Sequence, residues 1–557
     1  MTASPGTAET GSSVWAPLRR GMFTALWLAQ LVANVGTWMQ TVGAQWLIGD
    51  LGGGPLQIAL VQTATTLPVF LLVVPAGAVG DILDRRHLLI AGQLVMFLGA
   101  GGLAAVTALG FATSAWVLGL TALMAVGEAL CITLFQAIQP ELVSADEIPQ
   151  AALLNSANGN VARAVGPAVG GLLISWAGPE ATFGLNALSF LGVVAVLYAW
   201  RRPSGHRPLG AEHVSGALRA GARYVRSAPM FGAVLGRSGL FTLFAGALWA
   251  LLPTVARGPL HLGAGGYGLL LGSVGLGAVL GAFVLPYLRS HVSADTLVSA
   301  AMVLYAATMA VIGLVDAVLV VAVALLLTGL AWVTVLSTVS AYAQLLLPAW
   351  ARTRALAYYQ LVFMGAQAIG AFGWGLVAGR VGVATAFVVA GAGLALSTVA
   401  AVVLALTPTA FTLTLRGADI DLSPARDWPE EPLTAAEPRR DVGPVLVTVE
   451  WRVEPDDAAA FTEAMRPLGR ARRRAGATFW GIYADTADPG LFLEAYTVVS
   501  EEEHVRMHVE RTTALDEKLQ AEVSRWTVPG TSPRVRHLVW AYAPRRRTEP
   551  VAWPGVT

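Results

Sequence analysis

The chain of 557 residues carries a formal net charge of +1, and 55% of its residues are hydrophobic whereas only 13% are charged. That composition lies far outside the range of soluble globular domains and indicates an integral membrane protein. The balanced charge gives no indication of nucleic-acid binding, and the single cysteine, Cys131, excludes an intrachain disulfide.

The polar residues 1–20 end in Arg19 and Arg20 and are predicted to form a cytoplasmic tail. We expect an uncleaved first helix after this tail, because no small-residue cleavage site follows a short apolar core. Twelve stretches of about 20 mainly apolar residues follow, which is the length that crosses a bilayer as a helix. They are residues 23–47, 57–80, 88–109, 115–138, 152–177, 183–199, 231–255, 265–288, 296–314, 317–343, 356–378 and 384–406.

The arginines are divided unequally between the two ends of these stretches. With the N-terminus inside, only Arg257 and Arg380 fall on the outer side. The positive-inside rule therefore predicts a multi-pass protein of the inner (cytoplasmic) membrane with both termini in the cytoplasm.

The chain is predicted to divide into two six-helix halves, followed by a soluble C-terminal domain. The connection between the halves contains Arg219, Arg223 and Arg226 at helical spacing, which indicates an amphipathic helix on the inner leaflet. The predicted segments are the tail 1–20, the first half 21–200, the loop 201–230, the second half 231–406, a linker 407–443, the soluble domain 444–547 and a tail 548–557.

A short internal repeat supports the division into halves. The sequence at Ala162–Gly166 recurs at Ala366–Gly370, and Gly171 and Gly178 recur at the same offset as Gly375 and Gly382. Duplicated halves are typical of secondary transporters, whose central site faces each side of the membrane in turn.

A charged cluster lies in the predicted loop between the second and third stretches. Gly77, Asp81, Arg85 and Arg86 resemble the signature of the major facilitator superfamily. The resemblance implies that the aspartate caps a helix of the other half and that the arginines pair with acids near the end of the fourth stretch, where Glu141 lies. Such contacts contribute a few kcal/mol at most, so we interpret the cluster as a conformational latch. The alternative is a positive-inside anchor, above all for Arg86.

The fifth stretch contains the sequence ARAVGPAVGGLL. Its Gly166, Pro167, Gly170 and Gly171 resemble the glycine-proline motif of exporters in this superfamily. The segments LWLAQLVANVGTWMQTVGAQWL, PELV and LNALSFLGVVAVL resemble the branch that contains the enterobactin exporter. Small residues allow close helix packing and proline weakens the local hydrogen-bond ladder. Close packing alone is an equally good interpretation.

Two charged residues lie deep within the predicted membrane spans, Glu128 in the fourth and Arg163 in the fifth. A charge in hydrocarbon is costly unless it is paired, wetted or neutralised. If the two pair, a structural change that separates them would alter the affinity of the glutamate for a proton, so Glu128 is the predicted proton carrier. A static pair that fixes helix packing is the alternative.

The substrate path is expected between the halves, near the middle of the membrane. Amides and aromatic rings with few charges suit weakly charged amphipathic compounds, although each residue alone is more typical of helix packing or interfacial anchoring. The candidates are Gln30, Asn34, Trp38, Gln40, Gln62, Asn158, Trp249, Trp332, Tyr359 and Gln367.

The C-terminal domain has the βαββαβ order of a ferredoxin-like fold and resembles the antibiotic-biosynthesis monooxygenases of the α/β-barrel type and their non-catalytic relatives. We expect Val445, Val447, Val449 and Val453 to face the helices. The opposite sheet face, a dimer surface or small pocket, is predicted to carry Thr448, Glu450, Arg452, Glu494, Tyr496, Trp540 and Tyr542. His504 and His508 share a helix face but are expected to be solvated, and no metal or cofactor is predicted.

We find no phosphate-binding glycine loop, so the energy source is expected to be an ion gradient rather than ATP. The sequence predicts a proton-coupled exporter of small amphipathic molecules, such as a drug, siderophore or other natural product, working by alternating access. The alternatives are a membrane-tethered enzyme or sensor acting through the C-terminal domain, and a lipid translocator. The expected partners are the substrate, protons and the bilayer, with self-association through the C-terminal domain.

Overall fold

A computed structural model describes residue 13 and residues 15–144, 147–200, 227–405 and 444–540. The predicted amphipathic helix after the first half, the linker 407–443, Tyr542 and the tail 548–557 lie outside these residues. The chain divides into two compact units, and each is described by itself.

The larger unit is helical throughout its described residues. Its helices are α1 (Gly21–Asp50), α2 (Pro55–Ile82), α3 (Arg85–Ala108), α4 (Ser114–Leu142), α5 and α6 (together Ile148–Ala199), α7 (Pro229–Arg257), α8 (Ala264–His291), α9 (Ala294–Leu314), α10 (Val318–Leu345), α11 (Ala349–Val381) and α12 (Val383–Ala405). The predicted class of helical membrane protein is confirmed.

Ten helical stretches among the described residues are long and apolar enough to cross a membrane, with Ile148–Ala199 taken as one stretch. The helix α1 is not one of them, since Gln30, Asn34, Gln40 and Gln45 lower its hydropathy. These polar side chains make α1 the helix whose contacts matter most for the site.

The long stretch Ile148–Ala199 contains two helices that meet at Gly178. This glycine has a φ of 79°, in the left-handed region, and Pro179 follows it. Gly382, between α11 and α12, has a φ of 88°. Glycine adopts such angles without a steric penalty, so both members of this repeated pair form the same kind of turn.

The repeated glycines also make equivalent contacts inside the two halves. A β-carbon on Gly166 of α5 would lie 2.6 Å from Cβ of Trp38 in α1. Gly370 of α11 packs in the same way on the backbone of Leu243 in α7. Each half therefore packs its fifth helix on its first through a glycine.

A second pair of repeated glycines joins the halves. A β-carbon on Gly171 of α5 would lie 2.7 Å from Cα of Gly268 in α8, and one on Gly375 of α11 would lie 2.5 Å from Cβ of Ala59 in α2. Close backbone approach of this kind is the usual reason for small residues at helix interfaces. The predicted two-half architecture is confirmed by these matched contacts.

The predicted loop between the second and third stretches is shorter than expected. The helix α2 continues to Ile82 and α3 begins at Arg85, so Gly77 and Asp81 lie in the last turns of α2 rather than in a loop. Asp84 begins α3 by accepting a hydrogen bond from the backbone N–H of His87 at 3.1 Å. This N-cap, which sequence reasoning did not assign, fixes the turn.

The smaller unit contains a four-stranded antiparallel sheet with the order β2-β3-β1-β4. Its elements in chain order are β1 (Val445–Arg452), α13 (Ala458–Ala475), β2 (Phe479–Ala484), β3 (Leu491–Val498), α14 (Glu501–Arg506), α15 (Ala514–Ser524) and β4 (Arg534–Val539). The predicted βαββαβ order is confirmed, and the second helix of that order is divided into α14 and α15. Thr513 is the N-cap of α15, and its hydroxyl accepts a hydrogen bond from the backbone N–H of Asp516.

The assignment of β3 to the sheet faces was wrong for two residues. Val449 of β1 lies opposite Glu494, and Val447 lies opposite Tyr496. Directly opposed residues of an antiparallel pair share one face, so Glu494 and Tyr496 lie on the helix side with the valines. The polarity of Glu494 suggested a solvated face, but a buried arginine on α13 accounts for its position.

Candidate functional site

The charged cluster at the start of α3 makes its described contacts within the first half. Nη1 of Arg85 lies 3.5 Å from Oε1 of Glu141 at the end of α4, and both side chains are partly exposed. Arg86 donates to the carbonyl oxygens of Leu197 and Tyr198 at 2.8 and 2.6 Å, which caps the end of α6. The side chain of Asp81 and the surroundings of Gly77 lie outside what the structure describes.

A polar contact between the halves lies on the side of the helical unit where α1 ends, which we call the Asp50 side. Arg257, in the last turn of α7, donates to a carboxylate oxygen of Asp50 at 2.8 Å and to the carbonyl oxygen of Trp46 at 2.9 Å. Its guanidinium also lies 4.0 Å from the centre of the Trp46 ring. The last turns of the first helix of each half are thus joined.

Gln45 makes a second contact between the halves, and it is buried. Its amide nitrogen donates to the carbonyl oxygen of Trp249 in α7 at 2.9 Å. The hydroxyl of Tyr267 in α8 donates to its amide oxygen at 2.5 Å. Sequence reasoning missed Gln45 and Tyr267, whose partners are more than 200 residues away in the chain.

Three of the predicted path residues form a continuous aromatic series across the halves. The ring centres of Trp38 in α1 and Trp249 in α7 are 5.6 Å apart, and those of Trp249 and Trp332 in α10 are 5.4 Å apart. Phe241 and Tyr305 extend the series behind Trp332. Of the predicted set, these three tryptophans form one aromatic contact series.

Three predicted path residues lie in the packing of the first half. Gln40 is buried, and its amide oxygen accepts a hydrogen bond from Asn186 of α6 at 2.5 Å. Asn158 is also buried and bonds Asn34 at 2.9 Å and the carbonyl oxygen of Trp27 at 2.9 Å. Their amides hold α1 against α5 and α6, as polar residues often do between membrane helices.

The other members of the predicted path are not brought into one contact set. Gln30, Gln62 and Gln367 are partly exposed, and Tyr359 is buried. The amide of Gln62 donates to the hydroxyl of Thr65 one turn later, at 3.3 Å. The path role of these residues stays a prediction.

Glu128 and Arg163 are both partly exposed, and no ion pair joins them within the described residues. The guanidinium of Arg163 lies 5.6 Å from the centre of the Trp38 ring. The arrangement therefore places a cation beside the aromatic series, and it leaves Glu128 without a basic partner among the described side chains.

The glycine-proline segment of α5 lies where both halves approach it. Gly170 packs on the backbone of Met39 in α1, and the carbonyl oxygen of Pro167 faces Gly268 in α8. Together with the contacts of Gly166 and Gly171, these positions put α5 in contact with both halves. A movement of one half against the other would therefore change the contacts of this segment.

The interior of the sheet unit holds a buried polar cluster. Glu494 has no solvent exposure, and its Oε1 accepts hydrogen bonds from Trp480 at 2.9 Å and from Arg472 at 3.3 Å. Arg472 also reaches the amide oxygen of Gln520 in α15 at 3.2 Å. A buried ion pair with this many partners fixes the sheet against its helices.

The two histidines are not solvated, which corrects the expectation from sequence: His504 in α14 is buried, and His508, which follows that helix, is half-buried. The ring centres of His504 and His508 are 4.5 Å apart, and that of His537 in β4 is 4.7 Å from His504. Burial, together with the neighbouring His504, Arg472 and His537, lowers the pKa of His508 to about 2. Among the described residues, no group of three or more metal-ligating side chains is placed to hold a metal ion.

Several known exporters are similar to this chain in sequence. The enterobactin exporter EntS of Citrobacter koseri is 26% identical over 263 residues, which is 47% of this chain. The exporters of Shigella boydii and Escherichia coli match to the same extent. The match spans 62% of the length of these relatives.

Solved structures resemble the helical unit in fold. The nucleoside transporter NupG has a TM-score of 0.56 at 13% identity, over 68% of this chain and 99% of its own. A POT family transporter in complex with a thioalcohol-conjugated peptide has a TM-score of 0.58 at 14% identity, over 69% and 96% of the two chains. A bacterial ferroportin homologue in an inward-facing state has a TM-score of 0.53 at 17% identity, over 68% and 97%.

The family model described as transmembrane secretion effector, of the major facilitator superfamily, matches residues 12–545. Since that match covers nearly the whole chain, the protein belongs to the transmembrane secretion effector family of major facilitator transporters.

Proposed function

We propose that the protein is a proton-coupled secondary transporter that exports small amphipathic molecules across the cytoplasmic membrane by alternating access. The polar contact between the halves on the Asp50 side carries this proposal, with Arg257 bound to Asp50 and Tyr267 bound to Gln45. Such contacts favour one state, yet they are weak enough to break in every cycle.

The direction of closure follows from the arginine distribution. The positive-inside rule assigns the Asp50 side to the exterior. With that orientation the halves are closed toward the exterior, and the central path is reached from the cytoplasm. This is the state in which an exporter takes up its substrate.

The ion pair of Arg85 with Glu141 is the proposed latch on the opposite side. The two residues join the start of α3 to the end of α4, and both side chains are partly exposed. An exposed pair of this kind contributes about 0.2 to 1 kcal/mol, so its loss biases the states without preventing the cycle.

Glu128 is the proposed proton carrier. It is partly exposed on α4, and no described residue forms an ion pair with it. An unpaired carboxylate within a membrane is tolerated as the neutral acid or in contact with water, but not as a dry charge. Binding a proton from the outside and releasing it inside would therefore be coupled to the change of state, without the pairing to Arg163 that the sequence suggested.

The proposed substrates are amphipathic natural products, a class that includes siderophores. The aromatic series Trp38, Trp249 and Trp332 offers an aromatic surface between the halves. The curated relatives are named as enterobactin exporters, which agrees with a substrate of this class.

The test uses inverted membrane vesicles, in which export appears as substrate uptake driven by an imposed proton gradient. A panel of amphipathic compounds and siderophores is offered to wild type, Glu128→Gln and Asp316→Asn. Asp316 is an exposed acid between α9 and α10 and serves as the matched control. We expect uptake by wild type and Asp316→Asn and at least a tenfold loss in Glu128→Gln. Undiminished uptake by Glu128→Gln would contradict its role, and absence of uptake by wild type would favour lipid substrates.

The buried cluster around Glu494 favours a second candidate function for the C-terminal unit, as a sensor or enzyme tethered to the membrane. Strongly coupled buried charges are found in structural networks and also in binding sites. Glu494→Gln in the full chain distinguishes these roles. Altered regulation of export with unchanged stability would support a sensor, whereas loss of stability alone would assign the cluster to the fold.

A further inference from the structure

The aromatic series between the halves contains two hydrogen-bond donors for which the described residues supply no acceptor. The indole N–H groups of Trp249 and Trp332 are buried, and neither has a hydrogen-bond partner among the described residues. The two side chains are 6% and 4% exposed. Buried indole N–H groups normally have a partner, and leaving one without an acceptor is costly.

A cation lies at one end of the same series. Arg163 is partly exposed and its guanidinium lies 5.6 Å from the ring centre of Trp38, in position for a cation–π contact. Within the described residues no acid forms an ion pair with it. Because a guanidinium stays charged in a protein, its position in the membrane requires water or an anion.

The cation, the aromatic rings and the two N–H donors lie along one surface. Trp38 contacts Trp249 at 5.6 Å and Trp249 contacts Trp332 at 5.4 Å between ring centres, so the cation and both donors border one aromatic surface. The surface offers π faces, positive charge and N–H donors. Its complement is a flat aromatic body that carries acceptor oxygens and a negative charge.

We infer that Arg163, Trp38, Trp249 and Trp332 bind an aromatic anion, a carboxylate or phenolate of a fused or linked ring system, as the exported substrate. This inference rests on the proposed export function and narrows its substrate class. Arg163 binds the anionic group, Trp38 and Trp249 contact the ring, and the two indole N–H groups bind its acceptor oxygens. A cationic amphiphile would lie against Arg163 without a compensating acid and is disfavoured.

Binding to the purified full chain in lipid nanodiscs tests the site without requiring transport. The probes are 3-hydroxy-2-naphthoate and its uncharged amide, 3-hydroxy-2-naphthamide, compared by equilibrium dialysis. We expect the carboxylate to bind at least tenfold more tightly than the amide. Arg163→Gln should abolish that preference, whereas Arg380→Gln, at an exposed arginine near the end of α11, should preserve it.

The tryptophans are tested by removing the N–H group and keeping a ring. Trp249→Phe and Trp332→Phe should each weaken carboxylate binding three- to tenfold. If Arg163→Gln fails to fold, Arg163→Lys retains the charge and should keep a reduced preference for the carboxylate. Equal binding of the two probes, a preference that survives Arg163→Gln, or no binding of either probe would overturn the inference.

The outcomes also separate this inference from the proposed function. Export of uncharged compounds in vesicles, with no carboxylate preference in nanodiscs, would overturn the site and keep the exporter. Carboxylate binding that depends on Arg163, with no transport in vesicles, would keep the site and overturn the exporter.

Discussion

Arg257 at the end of α7 donates a hydrogen bond of 2.8 Å to Asp50 at the end of α1, and so joins the two halves on the Asp50 side. The same guanidinium binds the carbonyl oxygen of Trp46 and stacks on its ring. One side chain thus makes three contacts across the interface, and its removal should shift the balance between the two states.

We predict that Arg257→Gln opens the Asp50 side. A partly exposed ion pair and a cation–π contact are each worth about 0.5 to 1 kcal/mol, so the open population should rise roughly five- to thirtyfold. Spin labels at positions 51 and 258, in a chain with Cys131→Ala, should report longer distances by pulsed electron resonance. Arg380→Gln should leave the distances unchanged, and an unaltered distribution in Arg257→Gln would show that the contact does not hold the state.

The close approach of α5 to α8 makes a second prediction. A β-carbon on Gly171 would meet backbone atoms of Ala264 and Gly268 at 2.6 and 2.7 Å, which neither helix can relieve without moving. Gly171→Ala should therefore destabilise the closed state by about 1 to 3 kcal/mol. Thermal unfolding in detergent measures the effect. The control is Gly159→Ala on the same helix, where nothing lies within 4 Å; equal melting temperatures for the two variants would contradict the packing described.

The latch proposal predicts a charge-reversal rescue. Glu141→Arg places two cations together and should slow transport in vesicles several-fold, because like charges at this distance repel. The double variant Arg85→Glu with Glu141→Arg restores an ion pair across the 3.5 Å contact and should recover most of the rate. A double variant no faster than Glu141→Arg would mean that the pairing itself is not needed.

Acid should destabilise the C-terminal sheet unit through His508. Its pKa is about 2 in the folded state, below the usual 6.5, because of burial and the neighbouring His504, Arg472 and His537. A histidine with a lowered folded pKa is protonated first in the unfolded chain, so stability is lost as pH falls below about 6.5, by at most ~1.4 kcal/mol per pH unit.

Hydrogen exchange of peptides from residues 444–540 in the full chain, followed from pH 7 to 5 with correction for intrinsic rates, measures this loss. His508→Gln should flatten the pH dependence. A slope unchanged by that substitution would assign the acid sensitivity to another group.

Much of the helical architecture could be predicted because its signals are local. Apolar stretches of membrane-spanning length and the repeated glycines identify the helices and the two halves. The side-chain faces were harder to predict. Helices that are apolar on every side do not reveal which face packs, so Gln40 and Asn158 were predicted to line the path although they hold helices together.

The contacts that sequence reasoning missed are long-range. Gln45 meets Tyr267 only after the second half folds against the first, and no local pattern marks either residue as a partner. Glu494 was assigned to the wrong sheet face because a polar residue in a strand normally faces solvent. Its partner Arg472 lies on a preceding helix, and only the folded unit brings their charges together.

Proton movement in inverted vesicles is the measurement that tests the central claim most directly. A pH-sensitive dye follows the gradient when an exported compound is added to vesicles with wild type or Glu128→Gln. Coupled antiport predicts substrate-driven dissipation of the gradient by wild type and none by Glu128→Gln, with Asp316→Asn like wild type. Substrate movement by wild type without any proton movement would contradict proton coupling.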